Sequence, residues 1–255
     1  MNPGSDIAAV ITGGASGLGL AVAQALAREG VRTGILDMNE DAGRAVAAEL
    51  GGSFARCDVS DPASVASALA ALRKAQGQER ICVNCAGIAP ALRTVGRDGA
   101  HDPAVFAKVI GINLIGSFNV ASQSAAGMAT LDPVGEDAER GVIVNTASIT
   151  AWDGQIGQLA YAASKAGVAG MTLPMARDLA RNGIRVMAIA PGIFQTAMVS
   201  GFSAELQEAL ARHAQFPPRL GRPEEFAALV THIIGNPMLN GEVIRLDAAT
   251  RMPPK

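Results

Sequence analysis

Short apolar runs alternate with longer stretches of helical periodicity from one end of this chain to the other. Residues 7–12 (IAAVIT) stay apolar up to the final Thr12, the pattern of a strand buried on both faces. In 17–30, Leu18, Ala21, Val22, Ala25 and Leu26 recur at three- and four-residue intervals, which puts them on one side of a helix. The same reading gives strands at 33–37, 53–57, 81–84, 141–147, 184–190 and 243–246. Helices follow at 41–50, from Asp61-Pro62 onward, and at 103–128, 159–181 and 224–234. Asp61 suits an N-cap and Pro62 the first helical position. Pro174 falls inside the 159–181 helix and withholds a hydrogen bond from the carbonyl of Gly170, so a kink is expected there. Buried strands alternating with helices predict an α/β fold, a doubly wound parallel sheet of about seven strands with helices on both faces. With no internal repeat and no linker-like stretch, residues 1–255 read as one domain.

Composition narrows the class. Hydrophobic residues make up 49% of the chain and aromatic ones 4%, so the core should be aliphatic and rich in alanine. The formal net charge is −2, the pI is about 5.9, and no basic patch stands out, so nucleic acid is not an expected partner. Met1-Asn2-Pro3-Gly4-Ser5-Asp6 lacks the basic stretch of a signal peptide, and no apolar run reads as long enough to span a membrane. A cytoplasmic protein without a membrane partner is expected. Cys57, Cys82 and Cys85 are odd in number, which argues against a disulfide framework. Cys82-Val83-Asn84-Cys85 does match C-x-x-C. It ends a strand rather than opening a helix, and no second pair completes a zinc site, so neither a redox centre nor a metal is expected.

Two local patterns carry chemistry. Thr12-Gly13-Gly14-Ala15-Ser16-Gly17-Leu18-Gly19 joins the first strand to the first helix. Glycines there allow a tight turn and let the backbone approach a pyrophosphate resting on the helix N-terminus. A glycine-rich turn that binds nothing would carry the same letters. Asp37 favours the binding reading, because it ends the second strand, where a carboxylate accepts hydrogen bonds from the ribose hydroxyls of NAD and repels the 2′-phosphate of NADP. No Arg or Lys stands at Ser16, Met38 or Asn39, so NAD is the expected cofactor. The second pattern is Tyr161, the only tyrosine, with Lys165 four residues on and on the same helix face. A phenol ionises near pH ~10. A cation beside it favours the phenolate and brings it towards the working range of a general base.

Together with Asn84-Cys85-Ala86-Gly87, Asn113, Ser148 and Pro191-Gly192, these motifs run across the whole chain in the order of the short-chain dehydrogenase/reductase family, which the chain closely resembles. The stretches 11–20 (ITGGASGLGL), 83–88 (VNCAGI), 170–179 (GMTLPMARDL) and 240–247 (NGEVIRLD) are similar to its type II 3-hydroxyacyl-CoA dehydrogenases, in which the Cys of Asn-Cys-Ala-Gly lines the NAD pocket. The chain departs from them at Ala248, where a glycine commonly follows the Asp, and in a shorter loop over 89–102. The resemblance implies a Rossmann-like fold and a cofactor site built from Gly13, Ser16, Gly17, Leu18 and Gly19 at the pyrophosphate and Asp37 at the ribose. Asp58 and Val59 would hold the adenine, Cys85, Ala86 and Gly87 would line the pocket, and Pro191, Phe194 and Thr196 would border the nicotinamide.

It also implies that Tyr161 is the acid/base, that Lys165 favours its phenolate and holds the nicotinamide ribose, and that Ser148 binds the substrate oxygen. Asn113 would hold a water linking Lys165 to solvent; a buried Asn with a purely structural bond is the other reading. Trp152, Gln155, Gln158 and Leu159, between Ser148 and Tyr161, would line the substrate cleft or equally pack the helix entrance. Residues 193–219, with Phe194, Met198, Phe202, Leu206, Leu210 and Phe216, would cap it. The implied reaction is reversible oxidation of a secondary alcohol, with a 3-hydroxyacyl-CoA of fatty acid metabolism favoured. NAD-linked oxidation of a steroid or other secondary alcohol stays open, as does a non-catalytic scaffold keeping the fold. The family usually forms homotetramers through the helices after the fourth and fifth strands, where Gly116, Ala121, Ala125 and Ala126 are small enough for close helix contact.

Overall fold

The computed structural model describes every residue except 2, 98, 197, 198, 200, 202 and 255, so Met198 and Phe202 of the expected cap lie outside the described residues. The strands are β1 (Ala8–Thr12), β2 (Arg32–Asp37), β3 (Ser53–Arg56), β4 (Ile81–Asn84), β5 (Val95–Gly96), β6 (Gly99–Ala100), β7 (Gly141–Thr146), β8 (Ile184–Pro191) and β9 (Val243–Leu246). Seven of them form one parallel sheet in the order β3-β2-β1-β4-β7-β8-β9, and β5 and β6 make a separate two-stranded ribbon. The helices are α1 (Gly17–Arg28), α2 (Glu40–Leu50), α3 (Pro62–Gln76), α4 (Pro103–Ile110), α5 (Gly116–Met128), α6 (Leu159–Leu179), α7 (Ala204–Ala211) and α8 (Pro223–Gly235).

Alternation along each strand divides the core into two layers. Ala9 and Ile11 of β1 join Val83, Val144 and Ile189 against Val22 and Leu26 of α1 and Phe226 and Val230 of α8. Val10, between them, faces the other way with Cys82, Ile143 and Val186, against Leu69 of α3 and Val120 of α5. Caps set the helix starts: Asn39 accepts from the amide of Ala42, and Asp61 from that of Ala63 with Pro62 in the first turn. α6 continues through Pro174 as a single helix, with Tyr161 and Lys165 in its first two turns.

Four features depart from the sequence reading. The 103–128 helix is interrupted by a π-helical turn at Gly111–Ile115. The ribbon β5–β6 and the helix α7 lie in stretches read as loop and cap. Contrary to the expectation that no segment reaches membrane length, Pro103–Met128 does so by length and composition, with a mean hydropathy of 1.6 over an 18-residue window. Part of its apolar content serves packing, since Val120, Ala121 and Met128 are wholly buried and Asn119 donates to the Val59 carbonyl. For the same reason the small residues expected to meet a second copy are mostly turned inward. Gly116 abuts Val59, and Ala121 and Ala125 are buried in the core, which leaves Ala126 outside. The large exposed apolar residues of this helix and of α6 are Ile115, Phe118, Leu159 and Leu173.

Candidate active site

The sheet reverses its winding between β1 and β4, and a crevice opens there beyond the carboxyl ends of the strands, where ligands of doubly wound folds bind. It continues along the ends of β7, β8 and β9 as a cleft of about 700 Å³. Gly13, Ser16, Gly17, Leu18, Gly19, Asp37, Asp58, Val59, Cys85, Ala86, Gly87, Ser148, Gln155, Gln158, Tyr161, Lys165, Pro191, Phe194 and Thr196 all line it. Asn113 stands behind the wall, completely buried, while Trp152 and Leu159, expected along the cleft, and Leu206 and Phe216 of the expected cap are exposed and do not line it.

At one end the backbone is shaped for close approach. Gly13 and Gly17 have φ of 63° and 55°, and a Cβ on Gly13 would come within 2.9 Å of the Ala86 amide nitrogen. Thr12 Oγ1 fixes the neighbouring loop by accepting from the amides of Cys85 at 3.0 Å and Ala86 at 3.1 Å. Ser16 occupies the N-cap position of α1, yet its side chain makes no capping bond, and the first turn holds no acidic residue. The positive end of α1 therefore faces the cleft without a compensating side chain, a place for an anionic group. Asp37 accepts from the amides of Ala15 at 3.1 Å and Asn39 at 3.0 Å, one per carboxylate oxygen, which leaves each oxygen a free lone pair. Asp58 is turned to Ser60, accepting from its amide at 3.0 Å and its hydroxyl at 2.6 Å. This turn, helix end and carboxylate suit the pyrophosphate and ribose of a dinucleotide.

At the other end Ser148 leaves the sheet just after β7, and α6 brings Tyr161 and Lys165 to it. Ser148 hydrogen-bonds the phenol of Tyr161, which pulls the phenol down, but burial dominates and holds it above its ordinary value. Lys165 is held beside the Tyr161 ring and makes its hydrogen bond elsewhere. Its Nζ lies 5.7 Å from the centre of the Tyr161 ring and donates to the Thr146 carbonyl at 2.6 Å. Burial lowers Lys165 to about 8, with the Cys85 thiol opposing that shift. Burial likewise pushes Cys85 up to about 11, against a bond from Thr146 and the charge of Lys165. Cys57, Cys82 and Cys85 are all free thiols.

Asn113 sits in the π turn. Its Oδ1 accepts from the Ile88 amide, and its Nδ2 donates to the Ile88 carbonyl, each at 2.9 Å, and to Ser164 Oγ at 3.0 Å. Its side chain thus ties the loop after β4 to α6. Gln155 is also committed, donating to the Pro253 carbonyl at 3.1 Å. Two contributors escape the sequence reading. The Thr146 carbonyl that receives Lys165 is backbone, which residue identity does not reveal. Met252 lines the cleft from a C-terminal stretch without periodicity.

The model of the short chain dehydrogenase family matches residues 7–207. 3-Hydroxyacyl-CoA dehydrogenase type-2 of Drosophila melanogaster is 48% identical over 249 residues, covering 96% of this chain and 97% of that one. The human protein of the same name is 48% identical over 252 residues, covering 97% and 96%. The crystal structure of 3-hydroxyacyl-CoA dehydrogenase type-2 from Mycobacterium avium superposes with a TM-score of 0.94 at 42% identity, covering 98% of each chain.

Proposed function

The chain belongs to the short-chain dehydrogenase family, and from that premise we propose that it oxidises 3-hydroxyacyl-CoA to 3-ketoacyl-CoA with NAD, reversibly. That it is a dehydrogenase of CH–OH groups using a nicotinamide cofactor follows from the family and its relatives. The choice of NAD rests on Asp37, whose charge opposes a 2′-phosphate. The acyl-CoA substrate rests on the relatives, whose names carry that activity.

The observation that carries the mechanism is the meeting of Ser148, Tyr161 and Lys165 on the same cleft as the α1 N-terminus and Asp37. When bound, the dinucleotide supplies the hydride acceptor. Ser148 Oγ orients the substrate hydroxyl and stabilises negative charge developing on its oxygen. Tyr161 takes the hydroxyl proton in oxidation and returns it in reduction. The buried ammonium of Lys165, fixed by the Thr146 carbonyl, offsets charge building on the phenol. Asn113 holds the loop and helix that flank Lys165, and a water relay beside it is the remaining part of its expected role. We further infer a homotetramer, supported by the exposed Ile115, Phe118 and Leu173 rather than by the inward-facing small residues.

The test is NADH formation with 3-hydroxyacyl-CoAs, steroid alcohols and simple secondary alcohols, run in parallel with NADP. Oxidation of the CoA esters with preference for NAD is expected. Activity confined to substrates lacking CoA removes the acyl-CoA reading, and preference for NADP removes the role given to Asp37.

A further inference from the structure

After β9 the chain turns at Asp247 and returns along the substrate side of the cleft. Arg245 holds that turn: its guanidinium pairs with Asp153 at 2.6 Å and Asp247 at 2.8 Å and donates to the Thr250 carbonyl at 3.0 Å. It also lies 5.7 Å over the Trp152 ring. Further along, Gln155 Nε2 donates to the Pro253 carbonyl and the Ile156 amide to the Pro254 carbonyl, each at 3.1 Å. On the other side the Gln215 amide donates to the Ala248 carbonyl at 2.9 Å. The tail is thus fastened to both segments flanking the substrate end, the 152–158 loop and the 193–219 cap. Between these fastenings Met252 lines the cleft together with Gln158 and Tyr161.

We propose that Met252 is a specificity-determining residue, the wall against which the substrate beyond its carbinol carbon rests. Gln155 is then a positioning residue that holds this wall through the Pro253 carbonyl. The proposal rests on reading the cleft as a secondary-alcohol site. Its chemistry favours an aliphatic group at this wall, because a thioether chain is apolar and adapts its shape to what it meets. The anchors lie on the protein's own backbone, so the wall keeps its place while the Met252 side chain alone is changed.

The experiment compares kcat/KM across straight-chain 3-hydroxyacyl-CoAs of increasing length and across secondary and steroid alcohols of increasing size. The proteins are wild type, Met252→Ala, Met252→Trp, Gln155→Ala and a chain ending at Arg251. Met252→Ala and the truncation should raise the long-to-short ratio ~10-fold and Met252→Trp should lower it by a similar factor, the scale of a changed hydrophobic wall. Gln155→Ala should move the ratio in the direction of Met252→Ala. KM for NAD should stay constant throughout, which general damage to the fold would not allow. Ratios that stay flat in every variant, or that move only together with KM for NAD, overturn the proposal. A uniform loss over the series in Gln155→Ala would make Gln155 a substrate ligand and overturn its positioning role. If the wild type oxidises only the alcohols lacking CoA, the acyl-CoA reading fails while the size ratio still decides the role of Met252 in that series. If it oxidises none of them, both fall.

Discussion

The proposed role puts Lys165 where it costs stability, and the cost can be measured. Its side chain is 4% exposed, and burial holds its ammonium at about 8 against the ordinary 10.5. Below the folded value both states carry the proton, so the folded chain bears the whole penalty of a buried charge. Between the two values the unfolded chain binds more protons, so stability rises with pH, and above the unfolded value the effect is gone. At ~1.4 kcal/mol per pH unit the penalty is about 3 kcal/mol at pH 7 and about 1 kcal/mol at pH 9.5. Lys165→Met removes the charge at similar volume and leaves the Thr146 carbonyl without its 2.6 Å donor. An unsatisfied buried acceptor costs about 1–3 kcal/mol. The variant should therefore match wild type at pH 7 or exceed it by up to about 2 kcal/mol, and fall below it at pH 9.5. Urea unfolding at both pH values reads the difference, with protomer concentration fixed because assembly adds to apparent stability. Dehydrogenase activity should be lost in the same variant, as expected where a catalytic group is held at the expense of the fold. A difference that does not change with pH, or that grows more favourable to Met at high pH, would refute burial as what governs Lys165.

Tyr161→Phe keeps most of the ring packing and should lower kcat ~10²–10⁴-fold with NAD binding intact, measured by turnover and by a dinucleotide titration; near-normal turnover sinks the acid/base assignment. Asp37→Asn removes one charge, and at ~5 Å and an effective dielectric of ~20 that is worth about 3 kcal/mol, so the NAD-over-NADP ratio of kcat/KM should fall about a hundredfold. The thiols of Cys82 and Cys85 are pushed up to about 12 and about 11 by burial, so iodoacetamide at pH 7.5 should modify neither in the folded protein; modification before unfolding contradicts that. Ala248 has φ of 50°. A left-handed alanine costs about 1–2 kcal/mol, partly offset by the added freedom of an unfolded glycine, so Ala248→Gly should stabilise by up to about 1 kcal/mol in thermal unfolding.

The parts of the site that were legible in the sequence are those whose function demands a backbone conformation or a local spacing. Gly13 and Gly17 sit at positive φ, a condition written in the residue type, and Asp37 ends a strand that its own apolar run announces. Tyr161 and Lys165 are neighbours on one helix, so their meeting needed no knowledge of the rest of the chain. The identity of Asn113 was legible but its work was not, because the π turn that carries it packs against α6, and its amide bonds Ile88 and Ser164, partners far along the chain. The same holds for the small residues of α5. Glycine and alanine allow close contact, but which neighbour they approach is decided by the sheet, and Gly116 meets Val59 of its own chain.

The walls of the substrate end were least legible of all. Gln155 reaches Pro253 across 98 residues and Arg245 reaches Asp153 across 92, and no residue type along 248–254 demands that return path. This separation has a consequence for function. The reaction centre is encoded in short motifs and is recovered by sequence similarity alone. In the proposal made above, the shape that selects a substrate is assembled from the 152–158 loop, the 193–219 cap and the tail, three segments that lie outside those motifs. Two relatives can therefore share Ser148, Tyr161 and Lys165 in place and differ in what they oxidise, which is why the acyl-CoA assignment here is decided by the substrate series rather than by the catalytic residues.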